Sequence, residues 1–333
     1  MPERDAVRGL VLERPGALRA ASWPAPAAPG PGEARVAVRR IGLCGTDYAG
    51  WRGEMPLMTF PRILGHELGV EVEAVGLGVR NVRPGDRCAV EPYLNCGSCA
   101  ACAAGRGNCC ERLRVLGVHA DGGMRESLAV PAAKLHPART LSHEALALVE
   151  PLAIGAHAVA RAVLAADEAV LVIGAGPIGQ AVMEFARIAG AHVTACDLNP
   201  ARLASCAPVA HRTLANMPDG ERFTAVFDAT GHPGSMSAAL RLVAQAGRLI
   251  WVGITREPVT LSDAEFHVRE TTLLGSRNAL PEDFTRIIGW MEAGKIDVAR
   301  WITHRAALAD LPERMAALAD PGAGVLKAML EVG

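Results

Sequence analysis

Aromatic side chains are scarce in this chain of 333 residues: five Trp, two Tyr and six Phe, 4% in all. So few rings argue against a large apolar ligand pocket, since such pockets are lined mainly by aliphatic and aromatic groups. An excess of one charge is lacking too. The 34 Lys and Arg stand against 35 Asp and Glu, a net charge of −1, which offers no footprint for nucleic acid or an anionic membrane surface. No run reaches the roughly eighteen uninterrupted apolar residues of a membrane span, and the opening MPERDAVRGL holds no apolar signal core. A soluble, cytoplasmic protein is expected. In that reducing setting the nine cysteines, five of them between Cys96 and Cys110, point to a metal site rather than a disulfide framework. There is no internal repeat.

Apolar residues make up 50% of the chain, enough for a large core and about two domains. Up to about residue 145, valine-rich runs such as EARVAVRRIG and LGVEVEAVG are broken by Gly and Pro and read as irregular antiparallel β structure. The Pro/Ala-rich stretch 23–32 reads as a surface connection. The run EALALVEPLAIGAHAVARAVL is helical in period with an interruption at Pro151, and Glu150, His157 and Arg161 exclude it as a membrane span. Strands and helices then alternate: AVLVI, a helix over 177–189, HVTACD, a short helix after Pro200, TAVFDAT, a helix near SMSAALRLVAQ, RLIWVG and TTLLGS. That alternation predicts βαβ units on a parallel sheet, an α/β fold. A helix in EDFTRIIGWMEAG and a last strand–helix–strand stretch are expected to return to the first domain.

Within LVIGAGPIGQ, Gly174, Gly176 and Gly179 form G-x-G-x-x-G between a buried strand and a helix that opens at Pro177 and Ile178. Asp197 ends the next strand, where an acid accepts from an adenosine ribose and repels a 2′-phosphate, favouring NAD over NADP. Arg202 softens that preference. Cys96, Cys99, Cys102 and Cys110 stand at C-x2-C-x2-C-x7-C spacing, compact enough to close a tetrahedron around one structural zinc, with Cys109 as an alternative fourth ligand. An iron–sulfur cluster and a nucleic-acid zinc ribbon are the competing readings. Cys44 and His66 are a thiolate and an imidazole suited to zinc, and Glu67 and Glu150 are the available third ligands. Three protein ligands would leave the open position of a catalytic site.

The residues GLCGTD at 42–47, GHE at 65–67, the cysteine lobe, EPL at 150–152 and GAGPIG at 174–179 resemble the zinc-dependent medium-chain alcohol dehydrogenase family over essentially the whole chain. The likeness is greatest to its polyol (sorbitol-type) and threonine dehydrogenase branches. The resemblance implies a GroES-like β-rich catalytic domain over 1–147 and 281–333 and a Rossmann NAD-binding domain over 148–280. It implies two zincs per chain, with Glu67 and Glu150 able to exchange as direct ligand and neighbour. The activity implied is hydride transfer from a secondary alcohol to NAD, giving the ketone, with Thr46 taking the alcohol proton. A homodimer or homotetramer is implied too. Asp47 reads as a structural hydrogen-bonder rather than a base.

Two departures stand out. Ala49 occupies the place of the relay histidine that many relatives carry, and the segment after Asp197 is short. Tyr48, Trp51, Arg52, Phe60, His119 and Arg277 are candidates to line the substrate pocket, with Trp51 and Phe60 equally readable as core. The paucity of aromatics favours a polyol, sugar acid or amino alcohol over a long aliphatic alcohol. Two rival classes remain: a zinc-free quinone reductase of the same fold, and a non-catalytic binding or regulatory protein on this scaffold.

Overall fold

The computed structural model describes residues 6–56 and 58–333. The chain divides into two compact units: the stretch up to Glu150 with Leu280–Gly333, and Pro151–Ala279.

The first unit is built on the strand Glu33–Leu43, whose alternating EARVAVRRIGL sends Val36, Val38 and Ile41 into the core. It is the hub of a seven-stranded sheet. Glu67–Val75 and Ala328–Glu331 flank it antiparallel, Ser127–Pro131 pairs with its first half, and Arg87–Val90, Leu135–Ala138 and His304–Ala307 extend the edges. The last segment of the chain thus completes a sheet begun near residue 33. The register sets Gly42 opposite Glu67 and Leu43 opposite Ala328, which brings three distant stretches to one end of the sheet. Fully buried Val36, Ile41, Leu64, Leu128 and Leu330 belong to a single apolar cluster here, each burial contributing on the order of 1.5–3 kcal/mol.

The second unit is a six-stranded parallel sheet in the order Arg212–Leu214, His192–Cys196, Ala169–Ile173, Phe223–Asp228, Val243–Trp251, Thr272–Gly275. The order reverses beside Ala169–Ile173, the switch point at which such sheets take ligands. The runs VLVI and AVF are buried on both faces, as parallel strands covered by helices require.

Three local features differ from the sequence expectation. The helical run over 144–164 breaks at Leu148, between His143–Ala147 and Val149–Ala162, and Pro151 is absorbed in the first turn of the second helix, where its missing N–H costs nothing. The helix near SMSAALRLVAQ is shorter than its pattern: it spans Pro233–Ala238, continues as a 3-10 turn, and gives way to strand at Val243. The edge strand Arg212–Leu214, polar and only three residues long, carries no local strand signal. Among the described residues no helix is long and apolar enough to cross a membrane.

Candidate functional site

Cys44 follows the central strand of the first unit and caps the helix Gly45–Arg52, while His66 precedes the neighbouring strand, which Glu67 opens. Asp47 ties the two together. Its Oδ2 accepts from the Cys44 amide at 2.9 Å and its Oδ1 from the Gly65 amide at 3.1 Å, and it is buried. This bridge sets a thiol and an imidazole side by side. Ligand atoms of Cys44, His66 and Glu67 all lie within 4.8 Å of one another. The Glu67 carboxylate fits because residue 42 is glycine: a Cβ there would come 2.1 Å from Glu67 Oε2.

The electrostatics of the cluster are those of a place prepared for a cation. Burial disfavours charging His66, yet Asp47, Cys44 and Glu150 outweigh it and raise its pKa well above the usual value. Its Nδ1 is buried with no hydrogen-bond partner, 3.9 Å from Asp47 Oδ1. Burial raises the pKa of Glu150 too, opposed by His66, and Glu67 raises it further. Glu150 sits in the first turn of the helix Val149–Ala162, and its Oε1 accepts from the Tyr93 hydroxyl at 2.5 Å. A thiol, an imidazole with an orphaned nitrogen and the Glu67 carboxylate fit zinc, whose borderline softness accepts all three donor types, while Glu150 lies outside this group of three.

Two residues of this centre, Lys327 and Tyr93, carry no motif. Lys327 donates to both oxygens of Glu67 and to the Leu43 carbonyl; its signal is a lysine inside the apolar run VLKAML in a chain with three lysines, a charge that only a buried acid explains. Tyr93 is legible only once its partner is known, and Gly42, inside GLCGTD, shows its steric reason only beside Glu67.

In the cysteine lobe, Cys96, Cys99, Cys102 and Cys110 gather within the same 4.8 Å limit. Cys96 and Cys102 sulfurs are 4.0 Å apart and those of Cys99 and Cys110 3.9 Å, near the edge of about 3.8 Å expected for a tetrahedron of ~2.3 Å zinc–sulfur bonds. That space suits one ion rather than a multi-iron cluster. The Ser98 amide and then Arg112 push the Cys96 thiol down to about 5, while Cys110, despite the Cys96 amide, is pushed up to about 11 by burial and its neighbouring thiols. Four crowded sulfurs cannot all ionise without a cation. Cys109 is exposed and outside the group.

In the second unit, Gly174, Gly176, Pro177, Ile178 and Gly179 form the turn from the strand Ala169–Ile173 into the helix Pro177–Ile188, with Gly176 as its cap. A Cβ on Gly179 would sit 1.7 Å from the Gly174 carbonyl oxygen, so helix and strand close only on glycine. Asp197 follows the next strand; its Oδ2 accepts from the Ala175 amide at 2.7 Å and its Oδ1 from the Asn199 amide at 2.8 Å. Arg202 lies 3.9 Å from it in the short helix Pro200–Ser205.

The remaining candidates are spread out. Thr46 and Tyr48 lie in the helix after Cys44. The Tyr48 hydroxyl is buried with no hydrogen-bond partner, and burial, then Asp47 and Glu67, raise its pKa, so it remains a donor. Tyr48, Trp51 and Phe60 pack against the apolar core of the first unit. Arg52 pairs with Glu54. His119 Nδ1 accepts from the Val115 amide at 3.1 Å, closing its own loop. Arg277 follows the strand Thr272–Gly275 of the second unit.

Residues 30–140 match the alcohol dehydrogenase GroES-like domain and residues 177–293 the zinc-binding dehydrogenase domain. The chain belongs to the zinc-dependent medium-chain alcohol dehydrogenase family. It is an oxidoreductase of that family, with a GroES-like domain and a Rossmann sheet. L-galactonate-5-dehydrogenase of Escherichia coli K12 is 42% identical over 298 residues, covering 86% of this chain and 87% of the relative. D-altritol 5-dehydrogenase of Agrobacterium fabrum is 33% identical over 293 residues, 84% of this chain and 87% of the relative. Among solved structures, an alcohol dehydrogenase of E. coli CFT073 complexed with NADH superposes with a TM-score of 0.92 at 29% identity, covering 98% of this chain and all of the other (100%). A putative zinc-binding dehydrogenase of Sinorhizobium meliloti bound to NADP gives 0.91 at 29% identity, with coverage of 98% and 100%.

Proposed function

We propose that this protein oxidises a secondary alcohol of a polyol or sugar acid to the ketone, passing the hydride to NAD, with one catalytic and one structural zinc per chain. The observation that carries the reading is the convergence of Cys44, His66 and Glu67 on one buried point in a chain that also holds the dinucleotide turn. Cys44, His66 and Glu67 would hold the catalytic ion, with Glu150 beside them; Cys96, Cys99, Cys102 and Cys110 would hold the other. Zinc at the first site supplies polarisation of the substrate hydroxyl, and the nicotinamide supplies the hydride acceptor.

The chain's own groups do the rest. Thr46 takes the hydroxyl proton. Ala49 ends the usual relay at that point, so Glu150, held by the Tyr93 hydroxyl, is the next acceptor. Tyr48 offers a buried donor without an acceptor, suited to a second hydroxyl of a polyhydroxylated substrate. Asp197 favours NAD by accepting from the ribose, and Arg202 limits the margin over NADP. The sugar-acid substrate class draws support from the relative that acts on L-galactonate. Assembly as a homodimer or homotetramer follows from the resemblance.

The test is zinc content per chain, followed on the same preparation by NADH formation with polyols, sugar acids and amino alcohols, NAD and NADP compared. About two zincs and turnover with a polyol or sugar acid, abolished by Cys44→Ser, are expected. A single zinc, held by the lobe, with no turnover would overturn the proposal.

A further inference from the structure

Tyr93, one of only two tyrosines in the chain, has no part in the family motifs, yet it is among the most constrained side chains of the first unit. It is 2% exposed, and its hydroxyl donates to Glu150 Oε1 at 2.5 Å. Glu150 Oε2 makes no hydrogen bond among the described residues, so one oxygen of this buried carboxylate is fixed and the other is free.

The phenol ring is itself held from behind. Its neighbour Phe284 meets it edge to face, with centroids 6.2 Å apart at 76°, and Phe284 stacks on His136 at 4.9 Å and 19°. His136 Nε2 is 3.2 Å from Glu91 Oε2, and Lys134 pairs with the other Glu91 oxygen. A chain of contacts therefore runs from Lys134 and Glu91 through the rings of His136, Phe284 and Tyr93 to the hydroxyl that touches Glu150. Such edge-to-face and stacked contacts fix ring orientation as well as position.

Glu150 needs fixing because its surroundings pull in different directions. His66 and Lys327 attract it, and Glu67 repels it. Released from Tyr93, a flexible glutamate in that field would turn towards the cations rather than keep a constant place. We infer that Tyr93 is a positioning residue: its hydroxyl holds Glu150 so that the free oxygen of this carboxylate serves the Cys44–His66–Glu67 centre. The inference rests on the reading of that centre as a metal site.

The test uses the full-length zinc-loaded protein and follows metal release to a chromogenic chelator, with the two phases assigned by Cys44→Ser and Cys99→Ser. Tyr93→Phe keeps the ring and removes only the hydroxyl. It is expected to release the Cys44-site metal at least 10-fold faster, the scale on which groups supporting a metal site act, and to leave the lobe phase unchanged. Glu150→Ala should accelerate the same phase, and adding Tyr93→Phe to it should do nothing more, since the tyrosine acts through the glutamate. The visible spectrum of the cobalt-substituted Cys44 site should shift in Tyr93→Phe.

Unaltered release and an unaltered cobalt spectrum would overturn the inference. So would acceleration of the lobe phase alone, because Tyr93–Leu94 pairs with Arg114–Val115 beside the lobe and that result would mark a purely structural role. If the parent protein shows only a lobe phase, the metal reading itself fails and this inference falls with it. Two phases in the parent, both unmoved by Tyr93→Phe, would sink the inference alone.

Discussion

Lys327 Nζ lies 2.6 and 2.7 Å from the two carboxylate oxygens of Glu67, and the side chains are 3% and 0% exposed. The third ammonium proton reaches the Leu43 carbonyl at 3.1 Å, immediately before Cys44. A buried pair of this kind adds little over an apolar replacement of both members, but removing one leaves an uncompensated charge, at a cost of about 3–5 kcal/mol. Lys327→Met should destabilise the metal-free protein by that amount in urea unfolding. Adding Glu67→Gln should recover most of it. Zinc should shrink the deficit, since a dication beside Glu67 takes over the role of the ammonium. A loss under ~1 kcal/mol would show that the lysine does not compensate an ionised Glu67.

The nucleotide turn separates two glycines that a motif treats alike. Gly179→Ala drives a Cβ to 1.7 Å from the Gly174 carbonyl oxygen, so helix and strand must part. We expect a loss of about 1–3 kcal/mol together with NADH binding. Gly176 has an ordinary negative φ of −69° and nothing within 4 Å of a built Cβ. Gly176→Ala should hold its stability within ~0.5 kcal/mol while NADH fluorescence titration shows weakened binding, because on the proposed reading that space takes the pyrophosphate. Unchanged binding in Gly176→Ala would place the dinucleotide elsewhere.

What was readable in the sequence is what local chemistry decides. The G-x-G-x-x-G turn is legible because Gly174 and Gly179 meet within six residues, and VLVI and AVF because strands buried on both faces need only be apolar. The strand Arg212–Leu214 is not legible, since it exists by pairing with Thr194–Cys196 rather than by its own composition. The candidate centre divides in the same way. Cys44, His66 and the lobe cysteines announce themselves by residue type and spacing. Lys327, 260 residues from Glu67, arrives through the register of Ala328–Glu331 on the central strand, and no local pattern specifies register across that distance. Tyr93 is hidden for a different reason: a tyrosine reads as core filling until the acid at its hydroxyl is known.

Asp47 offers a test of how Cys44 and His66 are kept together. Its two oxygens accept from the amides of Cys44 and Gly65, and an asparagine has only one oxygen to offer. Asp47→Asn turns an NH2 towards an amide N–H, leaving a buried donor unsatisfied at about 1–3 kcal/mol. We expect that loss in urea unfolding, and faster release of metal from the Cys44 site with the lobe unaffected. Normal stability with normal metal retention would mean that the strand register alone aligns the two side chains.

A pH-dependent contribution to stability lies away from the candidate metal centre. Arg305 Nε and Nη2 donate to the two oxygens of Glu144 at 2.9 and 3.1 Å, and Arg40 stands 4.0 Å away. Hydrogen bonding from Arg305, against partial burial, and then the charges of Arg305 and Arg40 hold the Glu144 carboxyl below its usual 4.5. A folded-state pKa below the unfolded one makes the contribution complete at neutral pH and removes it as pH falls through 4.5 towards the lower folded value. The pair is partly exposed, so Glu144→Gln should cost no more than about 1 kcal/mol at pH 7 and low salt. Measured by urea unfolding at stepped pH, the gap between parent and variant should close as pH drops below about 4.5, and it should narrow in ~1 M salt at pH 7 because screening acts on the same charges. A gap that persists unchanged into acid would assign the effect to packing of the side chain rather than to its charge.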